Sequence, residues 1–336
     1  MLAYVLEGVG RLERKVISKP SANGDWVVVK VQSCGICSSD IPRIFKTGTY
    51  HFPTIPGHEF SGIVVETSEE QSHLLNKRVG VFPLIPCNKC EQCSLKNYEM
   101  CSNYDYLGSR RDGGFAEYVL VPAWNLIEMP ENIPFEIIAL MEPLSVAMSA
   151  VRKASILCSE SVAVIGTGMI GISAAYFSKL FTKDVTIIGR NEEKRRLISP
   201  AMDIEYLYRN IENDKYDNVL EAVGTIESIT QAINATKPGG TLILMGNPAG
   251  DIVLEKKVYW KILRKQLRII GTWNSKFDGK NESDWTEVRR FLIEGRADFS
   301  SLISHRFDSE HLIDALSLMK NHLEPYCKVM INWKKG

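Results

Sequence analysis

From Ser161 to Lys179 the chain reads "SVAVIGTGMIGISAAYFSK": a short apolar β-branched run, then Gly166-Thr167-Gly168-Met169-Ile170-Gly171, then a segment with helical apolar spacing. Glycines at these three positions leave a chain little choice of local structure. Gly166 permits a tight turn after a strand, Gly168 lets the backbone approach a pyrophosphate, and Gly171 lets the following helix pack closely on the strand. The helix N-terminus then faces the anion. Further buried-looking runs, "DVTIIG", "DNVLEAVG", "GGTLILMG" and "LRIIGTW", alternate with helical segments. That alternation predicts a doubly wound parallel sheet, placed here at residues 146–274, that binds a dinucleotide through the 166–171 loop.

The flanks read differently. Val27 to Val31, Gly62 to Glu66 and Val79 to Phe82 are β-branched runs separated by turn sequences such as "NGD" and "PTIPG", so residues 1–145 are expected to be β-rich. After Asn274 come two amphipathic segments, "ESDWTEVRRFLIEG" and "SEHLIDALSLMKN", and a closing "CKVMINW" strand. Residues 275–336 are expected to return to the first domain. A chain of 336 residues can bury two cores. Its 40 Lys and Arg balance 40 Asp and Glu, so no global field favours nucleic acid or an anionic membrane, and the expected partner is a small molecule bound locally. Neither a basic leader with a long apolar core nor an uncharged apolar stretch of about twenty residues is present, which predicts a cytoplasmic protein.

In a reducing compartment disulfides are rare, and this bears on "PCNKCEQCSLKNYEMC". Cys87, Cys90, Cys93 and Cys101, spaced C-x2-C-x2-C-x7-C, suit four thiolates around a tetrahedral structural zinc. The segment has little apolar content, so the ion would supply folding free energy that burial cannot. The C-x3-C-P ending of a ferredoxin run is absent. Cys34, Cys158 and Cys327 are isolated and are expected to be small buried hydrophobes.

A second metal constellation lies in "CGICSSD" and "PGHEFSG". Cys37 and His58 are a thiolate and an imidazole, the pair Zn²⁺ favours, and Glu59 or Glu142 would be the third ligand, leaving one position open for Lewis-acid chemistry on a substrate oxygen. Adjacent side chains on an extended backbone point apart. His58 and Glu59 therefore reach one ion only if the chain bends, and the two carboxylates are expected to share the task. Asp40 is a candidate partner for the far nitrogen of His58, and Ser39 a candidate proton relay.

The second strand of the nucleotide domain ends "VTIIGRNEEKRR". An acid there normally accepts from the adenosine ribose hydroxyls of NAD. This chain has Gly189 instead, followed by Arg190, Lys194, Arg195 and Arg196, a pattern that predicts NADP in preference to NAD. The stretch from Arg196 to Asp217 is also short for a full helix and strand.

With "CGICSSD", "GHEFSG", the four-cysteine segment, "EPLSVA" and "GTGMIG" in this order, the chain resembles the zinc-dependent medium-chain alcohol and polyol dehydrogenases over nearly its full length. "DIPRIFKTG", "YLGSRRDGGFAEY" and "KILRKQLRIIGTWNS" look most like the galactitol-phosphate and sorbitol dehydrogenase branch. The resemblance implies an α/β fold, a GroES-like β-rich catalytic domain plus a Rossmann domain. It implies Cys37, His58, Glu59 and Glu142 as catalytic zinc ligands, Cys87, Cys90, Cys93 and Cys101 as structural ones, hydride transfer to or from NAD(P), and a homodimer or homotetramer. Arg43, Lys46, Arg110 and Arg111 lie in loops of the catalytic domain, where cations suit the phosphate of a polyol phosphate. An NADPH-dependent ketone reductase or a threonine-dehydrogenase-like enzyme is the alternative activity. A catalytically silent cofactor-binding protein is the alternative of another class, and the intact ligand sets argue against it.

Overall fold

The apolar runs after the glycine loop fold as one parallel sheet, with strands Val162–Ile165, Val185–Gly189, Glu205–Tyr208, Tyr216–Glu221, Thr236–Leu244 and Arg268–Gly271. Their order across the sheet is third, second, first, fourth, fifth, sixth, and every neighbouring pair is parallel. The order reverses between the first and fourth strands, and such a switch point opens a crevice beyond the strands' carboxyl ends. The first two strands are buried along their whole length, as strands covered on both faces must be, and this explains their unbroken apolar sequence. A reciprocal cap between Thr225 and Ser228 starts the helix Ile226–Ala235, satisfying amides that have no partner within the helix.

The computed structural model describes residues 1–198, 203–279, 282–296 and 298–333. It divides into two units, Met1–Glu142 with Lys276–Gly336, and Pro143–Ser275. The strand Glu205–Tyr208 was not among the runs that the sequence marked. It has four residues, and none is fully buried, so neither an apolar run nor a clean alternation announces it. Between Arg196 and Asp217 the described chain holds this strand and the end of a 3₁₀ stretch, Glu192–Leu197; residues 199–202 lie outside the described residues.

In the first unit a seven-stranded sheet runs Ile303–Asp308, Lys328–Asn332, Trp26–Ile36, Glu59–Glu66, Arg78–Val81, Leu126–Glu128, with Tyr118–Pro122 also pairing Trp26–Ile36. The chain's last strand is thus built into the sheet begun by its first hundred residues. Val27, Val29, Val31, Phe60, Val64, Val79, Val329 and Ile331 belong to one buried cluster. Among the described residues no helix is long and apolar enough to cross a membrane. Cys34 and Cys327 are buried, but Cys158 is exposed, contrary to the expectation for it. It sits in the turn between the helix Met141–Ala154 and the strand Val162–Ile165, where a surface connection offers no core to enter.

Candidate functional site

Sheet register explains how residues far apart in sequence meet. Strand Trp26–Ile36 ends one residue before Cys37, and strand Glu59–Glu66 begins one residue after His58. The two strands are antiparallel with Gly35 opposite Glu59, so Cys37 and His58 emerge at the same end of the sheet. Gly57, the residue before His58, has a φ of +92°, a conformation that favours glycine. Among the described residues one ligand atom from each of Cys37, His58 and Glu59 lies within 4.8 Å of the others. A thiolate, an imidazole and a carboxylate form a zinc donor set, so these residues fit that ion.

The surroundings hold this group in place. Asp40 is fully buried; it accepts from the Cys37 backbone N–H at 3.0 Å and from Arg43 Nη1 at 3.1 Å, and its Oδ1 lies 3.4 Å from His58 Nδ1. Burial works to raise the Asp40 pKa, but His58, Arg43 and the Cys37 N–H outweigh it and hold the carboxyl below its ordinary value. Ser39 Oγ donates to Cys37 Sγ at 3.2 Å.

Two partners were not legible in the sequence. Lys328 Nζ donates to both oxygens of Glu59, at 2.7 and 2.5 Å, with Glu59 1% and Lys328 4% exposed. Burial opposes the lysine's charge, but Glu59 and Cys37 raise its pKa above the usual value. Lys328 gets there because Val329 pairs with Ile36, the residue before Cys37. The Tyr106 hydroxyl donates to Glu142 Oε1 at 3.2 Å, and its ring meets His58 edge-on at 5.8 Å between centroids. Glu142 stands outside the 4.8 Å group. Burial, with Glu59 adding and His58 opposing, pushes its carboxyl up to about 7.

Cys87, Cys90, Cys93 and Cys101 form a second cluster. The Sγ atoms of Cys90 and Cys93 are 3.5 Å apart, those of Cys90 and Cys101 3.8 Å, and those of Cys87 and Cys93 3.9 Å. A disulfide needs about 2.05 Å, whereas a tetrahedron with Zn–S bonds of about 2.3 Å puts sulfurs roughly 3.8 Å apart. The backbone amides of Ser102 and Cys93 pull Cys90 down to about 5, while burial pushes Cys93 up to about 12. A cation among the four sulfurs would favour the thiolate at every position.

In the second unit the 166–171 loop follows the first strand at the sheet's switch point. Gly166 has φ +117°, and a Cβ at Gly171 would strike the Gly166 carbonyl oxygen, so both glycines are required. Gly168 faces open space and caps the helix Met169–Ser178, leaving the first-turn amides available to an anion. Thr167 lies in the loop and Met169 and Ile170 open the helix, an arrangement whose free amides fit a pyrophosphate. Gly189 ends the second strand, Arg190 after it is exposed, Arg195 lies 3.4 Å from Glu192, and Lys194 Nζ donates to Thr167 O at 3.4 Å.

Three of the four loop cations have partners of their own. Arg43 is partly spent on Asp40, Lys46 is exposed, and Arg111 pairs with Asp105 at 2.7 Å. The Arg110 guanidinium lies 4.0 Å from the Tyr50 ring centre and 4.5 Å from that of Tyr104. Tyr104 in turn meets Tyr106 at 6.2 Å, so a run of aromatic rings links Arg110 to His58.

Two family models match the chain: the alcohol dehydrogenase GroES-like domain over residues 23–131 and the zinc-binding dehydrogenase over residues 166–294. Galactitol 1-phosphate 5-dehydrogenase of Escherichia coli (strain K12) is 33% identical over 324 residues, covering 92% of this chain and 93% of that protein. The chain belongs to the zinc-dependent medium-chain alcohol dehydrogenases. It is therefore an oxidoreductase acting on CH–OH, with a GroES-like domain and a Rossmann-like parallel sheet. The crystal structure of galactitol-1-phosphate dehydrogenase from Escherichia coli matches this dehydrogenase with a TM-score of 0.90 and 31% identity over 99% of this chain and all of the other. A zinc-binding dehydrogenase from Sinorhizobium meliloti 1021 bound to NADP matches with a TM-score of 0.88 and 27% identity over 98% of each chain.

Proposed function

We propose that this dehydrogenase interconverts a polyol phosphate and the corresponding ketose phosphate, using two zinc ions per chain and NADP in preference to NAD. The observation that carries the reading is the Cys37, His58 and Glu59 group in a chain that also holds the glycine cradle. When bound, the catalytic zinc supplies Lewis acidity to a substrate oxygen, and the nicotinamide gives or takes the hydride. The chain's own residues do the rest. Asp40 orients the His58 imidazole, Lys328 and Tyr106 place the Glu59 and Glu142 carboxylates, and the Ser39 hydroxyl relays the substrate proton. Cys87, Cys90, Cys93 and Cys101 hold the structural ion.

For the substrate, Arg110 with Lys46 and the remaining donors of Arg43 are the phosphate cations. The test is a screen of phosphorylated and free polyols and ketoses. One charge-assisted hydrogen bond of about 1.5–3 kcal/mol predicts a roughly 10- to 150-fold preference for the phosphate ester, largely lost in Arg110→Ala. Equal kcat/KM for both substrate classes would remove the phosphate from the proposal. For the cofactor, Arg190→Ala is expected to lower kcat/KM for NADP by about tenfold or more and leave NAD unaffected. A wild type that prefers NAD, indifferent to this substitution, would contradict the preference.

A homodimer is the assembly we infer. Arg268–Gly271 is an edge strand whose Ile269 is exposed, and the preceding helix Lys256–Lys265 exposes Tyr259, Trp260 and Leu263. Bare edges with apolar side chains invite pairing with a second copy. Sedimentation should give twice the chain mass for wild type and a monomer for Ile269→Lys; a monomeric wild type would refute the assembly.

A further inference from the structure

The place of the missing acid is filled from the next strand. A Cβ on Gly189 would overlap the Tyr206 hydroxyl and come within 2.7 Å of the Thr167 methyl, so a side chain at this position requires Tyr206 and Thr167 to move. The parallel ladder sets Ile187 opposite Tyr206 and Gly189 opposite Tyr208. The Tyr206 side chain thus leans two residues forward along the neighbouring strand to reach Gly189. Its hydroxyl donates to Asn191 O at 2.6 Å, which pins the end of a rigid ring that would otherwise be free to swing aside. The same bond ties down the Arg190–Asn191 corner from outside. Arg209 N donates to Gly189 O at 2.9 Å, and Lys194 reaches Thr167 O on the other flank. Gly189 is enclosed by Thr167, Tyr206 and the Arg209 backbone.

We propose that Tyr206 is a specificity-determining residue: its phenol takes the volume an acidic side chain would need to meet the adenosine ribose, and its bond to Asn191 O keeps Arg190 at that end of the site. The ligand class is a dinucleotide whose adenosine ribose carries a 2′-phosphate. This deepens the cofactor reading above and rests on it for the sign of the preference. The packing claim does not depend on which nicotinamide cofactor is preferred. An acid at position 189 is incompatible with Tyr206, so changing Gly189 alone cannot create an NAD site, whereas changing both residues can.

The test uses the full-length, zinc-loaded protein as wild type, Gly189→Asp, Tyr206→Ala and the double variant. Nicotinamide fluorescence gives Kd for NADH and NADPH, and the thermal midpoint is read without cofactor. Gly189→Asp alone should lower the midpoint and weaken NADPH without tightening NADH. The double variant should recover most of the midpoint and bind NADH about tenfold or more tighter than Gly189→Asp does, as expected for substitutions at residues in contact. Should Gly189→Asp fail to fold, Gly189→Ala with and without Tyr206→Ala asks the same question of the midpoint alone, and a drop that Tyr206→Ala rescues supports the proposal. A Gly189→Asp chain with an unchanged midpoint that gains NADH as fully as the double variant overturns it, and so does the absence of rescue in the alanine pair. Tighter NADH than NADPH binding in wild type retires the NADP preference, while coupling between positions 189 and 206 still stands or falls on the variants.

Discussion

Replacing His58 with alanine should lower kcat by at least about 10³-fold, equivalent to roughly 4 kcal/mol of lost transition-state stabilisation, while leaving one zinc per chain. The loss is large because His58 is one of two soft donors in its group and sits at 5% exposure between Asp40 and Tyr106, and among the described residues no second histidine belongs to that group. The remaining ion belongs to the cluster of four sulfurs, which shares no residue with this group. Cofactor binding should be close to unchanged, since the glycine cradle is built from other strands. Elemental analysis beside steady-state kinetics checks the prediction. Retention of turnover, or loss of both ions together, would show that His58 does not hold a separate catalytic metal.

The second large effect falls on Lys328, which no motif marks. Lys328→Met should destabilise the metal-stripped protein by roughly 3–5 kcal/mol, because it leaves the Glu59 carboxylate in the interior without its counter-charge. For a unit of this size that corresponds to a fall in thermal midpoint of about 10 °C. Two internal controls separate charge from packing. Lys328→Met/Glu59→Gln removes the stranded charge and should recover more than half of the loss. Adding zinc back to the single variant should narrow the gap, since a divalent cation at Cys37 and His58 would again face Glu59. An unchanged midpoint in the stripped single variant would mean that the buried pair at 2.5–2.7 Å contributes nothing to stability.

These two residues mark how far the sequence could be read. His58, Cys37 and the glycine loop were legible because few residue types can ligate zinc or make a strand-to-helix turn, so short spacings carry most of the information. Lys328 lies 269 residues from Glu59, and only the register of the last strand against Trp26–Ile36 brings them together. Tyr106 is hidden for the same reason, since one tyrosine among twelve gives no hint of the carboxylate it will meet. Arg43 likewise has a partner that the sequence did not show: a buried Asp40 three residues back accepts from one of its nitrogens. At the nucleotide end the missing acid was visible, but what stands in its place was not, because Tyr206 arrives on a four-residue strand without an apolar signature.

The account rests on two metal ions with different tasks in one chain, and graded chelation of active wild-type protein tests it most directly. With zinc content and turnover measured on the same samples, fully active protein should hold two zinc ions per chain. Turnover should fall in proportion to the first ion removed while the fold persists, and Zn²⁺ should restore it. Full activity in protein with one ion or none, or turnover indifferent to loss of the first ion, would contradict it.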